Sequence, residues 1–365
     1  MFTIIKQQNQ ARTGVLEVNG RKAETPFFMP VATKAVGRFV TSEEYESCNA
    51  NAIIANAFFL SLSPSLEMFE KTNGIHSFMD YKGIIFNDCG GFQMLRENLL
   101  KETTPNGILL KNPMGKDVFM RPEKIMNISS VIKPDVMMAL DCVLLFGKTK
   151  EEYQEALIKS HKWSKECLKY KTKDTLLFGI TQGGTFKDLR EESAKTINKM
   201  NFDGHAIGGL GIGEPSEEMY AMIEASVQFL DENKPRYLMG VGKPDQILEC
   251  ISRGIDIFDS IYPQKNARHG MLFTFNGIID LGKSNYKFDF TPIEKDCQCL
   301  TCKKYTKAYL RYLLKKDDAV GKRYLTIHNI YFMQEFMKKI RESIKENTFE
   351  EFKKDFLKKF KKIKE

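Results

Sequence analysis

The chain alternates between short apolar segments and longer amphipathic ones. Seven apolar segments have the length and bounding residues of buried β-strands: 51–58, 83–88, 135–141, 175–181, 204–209, 236–242 and 256–261. Several are separated by segments with apolar residues at helical spacing and an acidic start: 41–50, 150–170, 187–200 and 215–230. Strand and helix alternate too regularly for an α+β arrangement, so the pattern predicts a parallel sheet with crossover helices.

The number of these units favours a closed barrel over an open doubly wound sheet. Seven or eight strand–helix units fit into about 270 residues, and no GxGxxG turn follows the first strand. We therefore predict an α/β fold of the (β/α)8 TIM-barrel type. Because reactive groups in such barrels gather at the carboxyl ends of the strands, the residues that follow each apolar segment are the functional candidates.

Composition and charge narrow the class of protein. The 365 residues are 42% hydrophobic and 28% charged, as in ordinary globular proteins. No apolar run is long enough to cross a membrane and the start lacks a secretory signal, so we expect a cytoplasmic protein with no membrane segment. The net charge of +8 allows a polyanionic partner without requiring one.

Lysines are concentrated near the end of the chain, in residues 338–365, together with Phe352, Phe356 and Phe360 at intervals of four. This spacing predicts an amphipathic helix that packs its aromatic stripe and exposes its lysines. Contact of this helix with nucleic acid or a membrane surface is the alternative.

The cysteines fall into two groups. Five are scattered singly, which predicts small buried apolar residues: Cys48, Cys89, Cys142, Cys167 and Cys250. The others form a C-x-C-x-x-C motif that a histidine follows: Cys297, Cys299, Cys302 and His328. Three thiolates and one imidazole complete the tetrahedral shell of a structural zinc ion and leave no open position for catalysis. We therefore predict one structural Zn2+ per subunit.

The zinc motif adds a second part to the predicted barrel, as an inserted or C-terminal zinc-binding subdomain. The predicted limits are 1–280 for the catalytic barrel, 281–335 for the zinc-binding subdomain and 336–365 for the basic C-terminal helix.

Catalysis is then left to carboxylates. Asp88 and Asp141 each close an apolar segment, and Asp259 lies in the last one. A basic loop with Lys265 and Arg268 follows Asp259, which suits a phosphate-bearing substrate that the bases hold while the acid attacks or transfers a proton. An isolated aspartate at a strand end is often only a loop cap, so each signal is weak alone.

Taken together, these motifs resemble those of the tRNA-guanine transglycosylase (queuine tRNA-ribosyltransferase) family, in its bacterial-type length. The similarity rests on the order and spacing of NDCGGFQ at 87–93, GITQGG at 179–184, GGLGIGE at 208–214, YLMGVG at 237–242, GIDIFDSIYPQKNARHG at 254–270 and the zinc motif. It extends over most of the chain.

The resemblance implies an enzyme, a tRNA-guanosine(34) transglycosylase, that exchanges guanine at the wobble position of G-U-N anticodons for a 7-deazaguanine during queuosine modification. By motif position, Asp259 corresponds to the nucleophile that bonds to ribose, and Asp88 to the residue that moves protons. The residues implied in base binding are Phe92, Asp141, Gln182, Gly209, Leu210 and Met239. Lys265 and Arg268 are implied in contacts with tRNA, and the family suggests a homodimer.

Several positions around the pocket depart from the bacterial pattern. Cys89 replaces the usual serine after the first aspartate, and Cys142 and Val143 follow Asp141 in place of Glu-Cys. Ile212 stands where bacterial enzymes close the pocket with a branched residue, which favours 7-aminomethyl-7-deazaguanine, whereas Val143 is the eukaryotic residue and favours queuine. Archaeal relatives usually carry extra C-terminal domains that are not seen after the zinc histidine here, so we rank their substrate third.

Two rival functions stay open at this stage. One is a non-catalytic partner subunit that only binds tRNA, which is expected to lose the acids that this chain keeps. The other is a zinc-stabilised barrel glycosidase acting on a small nucleoside, which shares the two-carboxylate chemistry but gives the basic loop and tail no purpose.

Overall fold

The computed structural model describes residues 1–91, 99–112 and 115–360 of the chain. Its strands are β1 (Phe2–Gln8), β2 (Ala11–Val18), β3 (Arg21–Thr25), β4 (Phe27–Met29), β5 (Ala52–Asn56), β6 (Ile84–Asp88), β7 (Leu100–Thr104), β8 (Gly107–Lys111), β9 (Asp117–Met120), β10 (Val136–Met138), β11 (Leu176–Thr181), β12 (Gly204–Ile207), β13 (Arg236–Leu238), β14 (Ile257–Asp259), β15 (Met271–Thr274) and β16 (Gly277–Asp280). Its α-helices are α1 (Ser42–Ser47), α2 (Ala57–Leu60), α3 (Leu66–Lys71), α4 (Ile75–Met79), α5 (Pro122–Ile132), α6 (Lys150–Leu168), α7 (Lys187–Lys199), α8 (Ser216–Val227), α9 (Pro244–Ile251), α10 (Tyr262–Arg268), α11 (Leu300–Lys304), α12 (Lys307–Lys315), α13 (Ala319–Lys345) and α14 (Phe349–Phe360). A π-helical turn spans Ser61–Ser65, and a short 3-10 helix spans Ser284–Tyr286.

Parallel strands form an eight-stranded barrel in the order β4, β14, β13, β12, β11, β10, β6 and β5. The ring closes between β4 and β5, where Ala32 N–H donates to the Ile54 carbonyl at 2.8 Å and Ile54 N–H donates to the Pro30 carbonyl at 3.2 Å. Each of the seven apolar segments contains one barrel strand, so the predicted α/β TIM barrel is confirmed. The eighth strand, β4, was not predicted because Pro26 and Pro30 lie on either side of its three apolar residues, and proline argues against a strand.

Large side chains fill the barrel from inside. The ring of Phe86 meets those of Phe178 and Tyr237 edge to face, with centroids 5.7 and 5.8 Å apart. At the amino ends of the strands, β1, β2 and β3 form an antiparallel sheet, and its Leu16 and Ala23 pack into the same apolar cluster. The barrel is therefore packed at its amino end.

A buried ion pair fastens this sheet to the barrel. Arg12 of β2 donates from Nε and Nη2 to the two carboxylate oxygens of Asp256, at 2.9 and 2.7 Å, and both side chains are buried. Asp256 directly precedes β14, the strand that ends in Asp259. Two charges that neutralise each other in a fork geometry hold the start of this strand in place.

The long helix α13 connects the carboxyl-terminal part of the chain to the barrel. Gln334 Nε2 donates to the Phe28 carbonyl of β4 at 3.1 Å, and Asn329 Nδ2 donates to the Pro263 carbonyl of α10 at 2.9 Å. The domain limits stay predictions; α13 runs through position 335 without a break.

The aromatic stripe of the last helix is packed, as predicted. Phe356 of α14 is buried, and its ring lies 4.7 Å from that of Phe336 on α13. Lys354, Lys358 and Lys359 are exposed. The five single cysteines are also buried and free, as predicted.

Helices of sufficient length and apolar character to cross a membrane are not found in the described part of the chain.

Candidate functional site

A cavity of about 430 Å³ opens at the carboxyl ends of the barrel strands. It brings together three carboxylates that lie far apart in sequence, those of Asp88, Asp141 and Asp259. Asp88 ends β6 and Asp259 ends β14, whereas Asp141 lies three positions beyond the end of β10. Other predicted residues that line this cavity are Gly209, Leu210 and Met239. Phe92 lies outside the described residues.

Among the described residues, the hydrogen bonds that Asp88 accepts come from the backbone only. Its Oδ2 accepts the Gly90 N–H at 3.1 Å. Burial raises the pKa of Asp88 to about 7, and the negative charges of Asp141 and Asp259 contribute to the rise. A carboxyl group with this pKa holds a proton for about half of the time at neutral pH and can both give and take one.

Asp141 is held between two side chains. Gln182 Nε2 donates to Asp141 Oδ2 at 2.5 Å, and the Cys89 thiol donates to Oδ1 at 3.7 Å. Burial raises the pKa of Asp141 to about 6 although both hydrogen bonds lower it. Gln182 thus keeps a buried carboxylate oriented toward the cavity.

Asp259 accepts two hydrogen bonds on one oxygen. The Tyr237 hydroxyl donates to Oδ1 at 2.6 Å and the Gly240 N–H at 2.8 Å. Burial raises the pKa of Asp259, and these two donors oppose the rise. They favour the charged form of Asp259, which is the form that a nucleophile requires.

The two candidate catalytic acids therefore stand in different surroundings. Asp259 has donors that stabilise its carboxylate, whereas Asp88 lies close to two negative charges. Environments that separate the pKa values of two carboxyl groups assign one to nucleophilic attack and the other to proton transfer. This arrangement can break and remake a glycosidic bond.

Helix α10 follows Asp259 directly and carries both predicted tRNA contacts. Lys265 is exposed, whereas Arg268 is half-buried. Burial and the neighbouring Arg38 guanidinium lower the pKa of Arg268, and its Nη1 has no hydrogen-bond partner among the described residues. Two arginines in proximity favour the approach of an anion.

The four predicted metal ligands meet in one cluster. His328 Nδ1 lies 3.8, 3.6 and 3.4 Å from the Sγ atoms of Cys297, Cys299 and Cys302. A tetrahedral site with Zn–S bonds of about 2.3 Å and Zn–N bonds of about 2.0 Å places sulfur and nitrogen roughly 3.5 Å apart, so the cluster fits such an ion. His328 Nε2 donates to the Phe273 carbonyl at 2.9 Å, which orients Nδ1 toward the thiols. The cluster can hold a metal ion.

Sequence reasoning missed two residues that shape the cavity. Tyr237 looks like a core aromatic in an apolar segment, and only the register of β13 beside β14 aims its hydroxyl at Asp259. Arg190 looks like a solvated helical residue, yet it is fully buried under the loops after β11 and β12. Neither residue type had a spacing signal that distinguished it from its neighbours.

Fold and cavity together define a TIM barrel with three carboxyl groups at the carboxyl ends of its strands. The family model described as queuine tRNA-ribosyltransferase matches residues 7–362. The chain belongs to this family, as its motifs predicted, and is an enzyme of the tRNA-guanine transglycosylase class.

Curated relatives are similar over nearly their whole length. A queuine tRNA-ribosyltransferase of Staphylococcus haemolyticus is 39% identical over 340 residues, which cover 92% of this chain and 90% of the relative. The protein of the same name from Desulforamulus reducens is 39% identical, with 93% and 92% covered. That of Thermoanaerobacter pseudethanolicus is 38% identical, with 94% and 92% covered.

The raised pKa of Asp88 predicts a stability effect. Because unfolding returns the group to a pKa near 4, the native state binds more protons, and stability should fall as pH rises from about 4 through about 7. Asp88→Asn should increase the free energy of unfolding by roughly 1–4 kcal/mol at pH 8, and the gain should shrink toward pH 4. Urea unfolding at pH 8, 6 and 4 measures this.

The exposed Asp188 provides the control, because Asp188→Asn should change stability little at any of these pH values. An Asp88→Asn protein that is less stable than the native one at pH 8 would contradict the assignment.

Loss of one metal ligand should cost both metal and stability. Cys302→Ser should abolish stoichiometric metal binding and lower the unfolding temperature, because a closed site contributes its binding free energy to folding. Elemental analysis and thermal unfolding measure the two effects. Cys250→Ser alters a buried cysteine outside the cluster and should retain the metal; full metal content in Cys302→Ser would remove Cys302 from the ligand set.

Proposed function

We propose that this enzyme exchanges guanine at the wobble position of G-U-N anticodons for a 7-deazaguanine, in queuosine tRNA modification, through a covalent bond between Asp259 and ribose. The observation that carries the proposal is the contrast between Asp88 and Asp259 in one cavity. Asp259 has two donors that favour its ionised form, whereas the pKa of Asp88 is raised to about 7.

Each carboxyl group has a separate task in the proposed reaction. The Asp259 carboxylate attacks the anomeric carbon, the bond from that carbon to the guanine nitrogen breaks, and Asp88 gives its proton to the leaving base. The incoming base then loses a proton to Asp88, its nitrogen attacks the same carbon, and the bond to Asp259 breaks. Two displacements on one carbon retain its configuration.

Recognition of the base is assigned to Asp141 and to the loops after β11 and β12. The Asp141 carboxylate accepts from ring and amino N–H groups, and Gln182 holds it in place through its own amide. The backbone of Gly209 and Leu210 supplies donors for the base carbonyl. Met239 covers one face of the ring, and Phe92 is proposed for the other on the strength of its motif position alone.

The base that we favour is 7-aminomethyl-7-deazaguanine. Ile212 lines the cavity and limits the room for a 7-substituent. Val143 also lines it, so a queuine-inserting enzyme is the second candidate. A non-catalytic tRNA-binding subunit is the third, although the three acids meet in one cavity.

We further propose that the ion held by the four-residue cluster is structural zinc, since three thiolates and an imidazole are the ligands that a closed zinc site prefers. Lys265 and Arg268 are assigned to contacts with the tRNA. The homodimer is proposed at an apolar surface near the metal site, where Tyr309 and Tyr312 are 44% and 57% exposed. The reaction is assigned to the cytoplasm.

Exchange of radiolabelled guanine into unmodified G-U-N tRNA tests the proposal. Asp259→Asn should abolish both incorporation and the covalent RNA adduct, because an amide is a poor nucleophile, and leave tRNA binding within about twofold. Asp188→Asn, the same change at an exposed position, should leave exchange intact. An adduct that survives in Asp259→Asn would move the nucleophile to Asp88, and tRNA binding by the native protein without any exchange would favour the non-catalytic subunit.

The choice of base depends on Ile212. Ile212→Gly should raise the ratio of kcat/KM for queuine to that for 7-aminomethyl-7-deazaguanine by at least about tenfold, because removal of the side chain opens the wall for a larger substituent. Competition between the two bases in the exchange assay measures the ratio. Val143→Cys serves as the companion change, and an unchanged ratio in Ile212→Gly would remove Ile212 from base selection.

A further inference from the structure

Arg190 is a fully buried arginine with an unusual set of partners. It lies on α7, and its guanidinium donates to four backbone carbonyls: Gly184 at 2.7 Å, Gly208 at 2.8 Å, Gly209 at 3.2 Å and Thr181 at 3.4 Å. Within the described residues it forms no ion pair with a carboxylate. Burial of an arginine costs free energy unless its N–H donors have hydrogen-bond partners. Here the partners are loop carbonyls, so the guanidinium fixes the backbone geometry of those loops.

These carbonyls belong to the loops after β11 and β12, which form one wall of the cavity. The loop after β11 carries Gln182, and the loop after β12 carries Gly208, Gly209 and Leu210, which line the cavity. Gly209 adopts a φ of +66°, and a Cβ atom there would lie 2.4 Å from the Gln182 side-chain oxygen. The wall is therefore built from tightly fitted backbone.

Because the peptide bond is planar, these contacts also fix the direction of the neighbouring N–H groups. In a trans peptide the carbonyl of one residue and the N–H of the next point to opposite sides. Arg190 fixes the carbonyls of Gly208 and Gly209, and so turns the N–H groups of Gly209 and Leu210 away from itself. In the described part of the chain neither N–H has a hydrogen-bond partner, which leaves both as donors at the cavity wall.

We propose that Arg190 is the positioning residue for base recognition: it fixes the Gly209 and Leu210 amides as donors for the carbonyl oxygen of the base. This inference rests on the proposed function and adds a residue that does not touch the substrate. Donors held in advance lose little free energy to reordering when the carbonyl arrives, which is the advantage of a preorganised dipole.

The same guanidinium also supports the acceptor side of the wall. Its contacts with the Thr181 and Gly184 carbonyls bracket Gln182, whose amide holds the Asp141 carboxylate at 2.5 Å. One buried side chain thus sets the spacing between the Asp141 acceptor and the two amide donors. A purine edge presents its amide N–H and its carbonyl at a fixed spacing, so this distance decides affinity for the base and leaves the RNA backbone unaffected.

The test compares Arg190→Met and Arg190→Lys with a matched control. Arg236 is also a buried arginine that donates to backbone carbonyls, those of Leu230 and Gly254, but it starts β13 at the amino end of the barrel. Arg236→Met therefore removes the same kind of group away from the cavity. For each folded protein, the measurements are the unfolding temperature, the dissociation constants for guanine and for tRNA, and KM and kcat in guanine exchange.

We expect Arg190→Met to raise KM and the dissociation constant for guanine at least about tenfold, which corresponds to about 1.4 kcal/mol, with kcat and tRNA affinity within about twofold of native. Arg190→Lys should recover part of the loss, because an ammonium group can still donate to some of the carbonyls. Arg236→Met should lower the unfolding temperature without changing either guanine constant.

Guanine affinity that is unchanged in Arg190→Met, or equally weakened in Arg236→Met, would overturn the inference. If Arg190→Met does not fold, Arg190→Lys decides the question by the same criterion. Calorimetric binding of guanine does not require exchange. Native protein that binds guanine without exchanging it would therefore refute the proposed function and still test Arg190.

Discussion

Desolvation of three carboxyl groups that share one cavity is the constraint on which the rest of this structure depends. Asp88 and Asp141 are buried and Asp259 is half-buried at the carboxyl end of the barrel, and loss of hydration is the largest cause of the raised pKa of each. Different neighbours then separate the three groups: Tyr237 and Gly240 for Asp259, Gln182 and Cys89 for Asp141, and chiefly negative charge for Asp88. In the proposed reaction, these different surroundings allow one carboxyl group to attack and another to carry a proton.

The scaffold that holds these carboxyl groups extends beyond the barrel. Helix α13 places His328 in the metal cluster, and the next residue, Asn329, holds the Pro263 carbonyl of α10 at 2.9 Å. Further along the same helix, Gln334 donates to the Phe28 carbonyl of β4, which pairs with β14. The helix that follows Asp259, the strand beside it and the metal site are thus fastened to a single rigid element. A metal ion bound to this cluster would therefore help to hold Asp259 in position from outside the cavity.

Much of the fold could be predicted because strand and helix alternate with distinct periods, and the metal cluster because four strong ligands occur in one short spacing pattern. Seven barrel strands lie within longer apolar segments that stand out, whereas the apolar residues of β4 lie between Pro26 and Pro30. Contacts set by tertiary packing left no trace in the sequence. Tyr237 reads as core, and Arg190 occupies a polar helix, where a buried arginine and an exposed one look alike. Asp88 and Asp259 were candidates because they end or lie in apolar segments, and their separate roles were predicted from the family motif; no local pattern shows that their environments differ.

The packed amino end of the barrel has a consequence for the order of events. Because Leu16 and Ala23 fill that end, the cavity in the described part of the chain is reached from the carboxyl ends of the strands, the side to which tRNA binds in the proposed reaction. In the proposed reaction the released guanine must leave past the RNA to which the enzyme is bonded, and the new base must enter by the same route. Since the two bases share one route, guanine that stays in the cavity competes with the incoming base. In that reaction, the rates at which the bases leave and enter, together with the rates of bond breaking and formation, set the share of turnovers that end in net exchange.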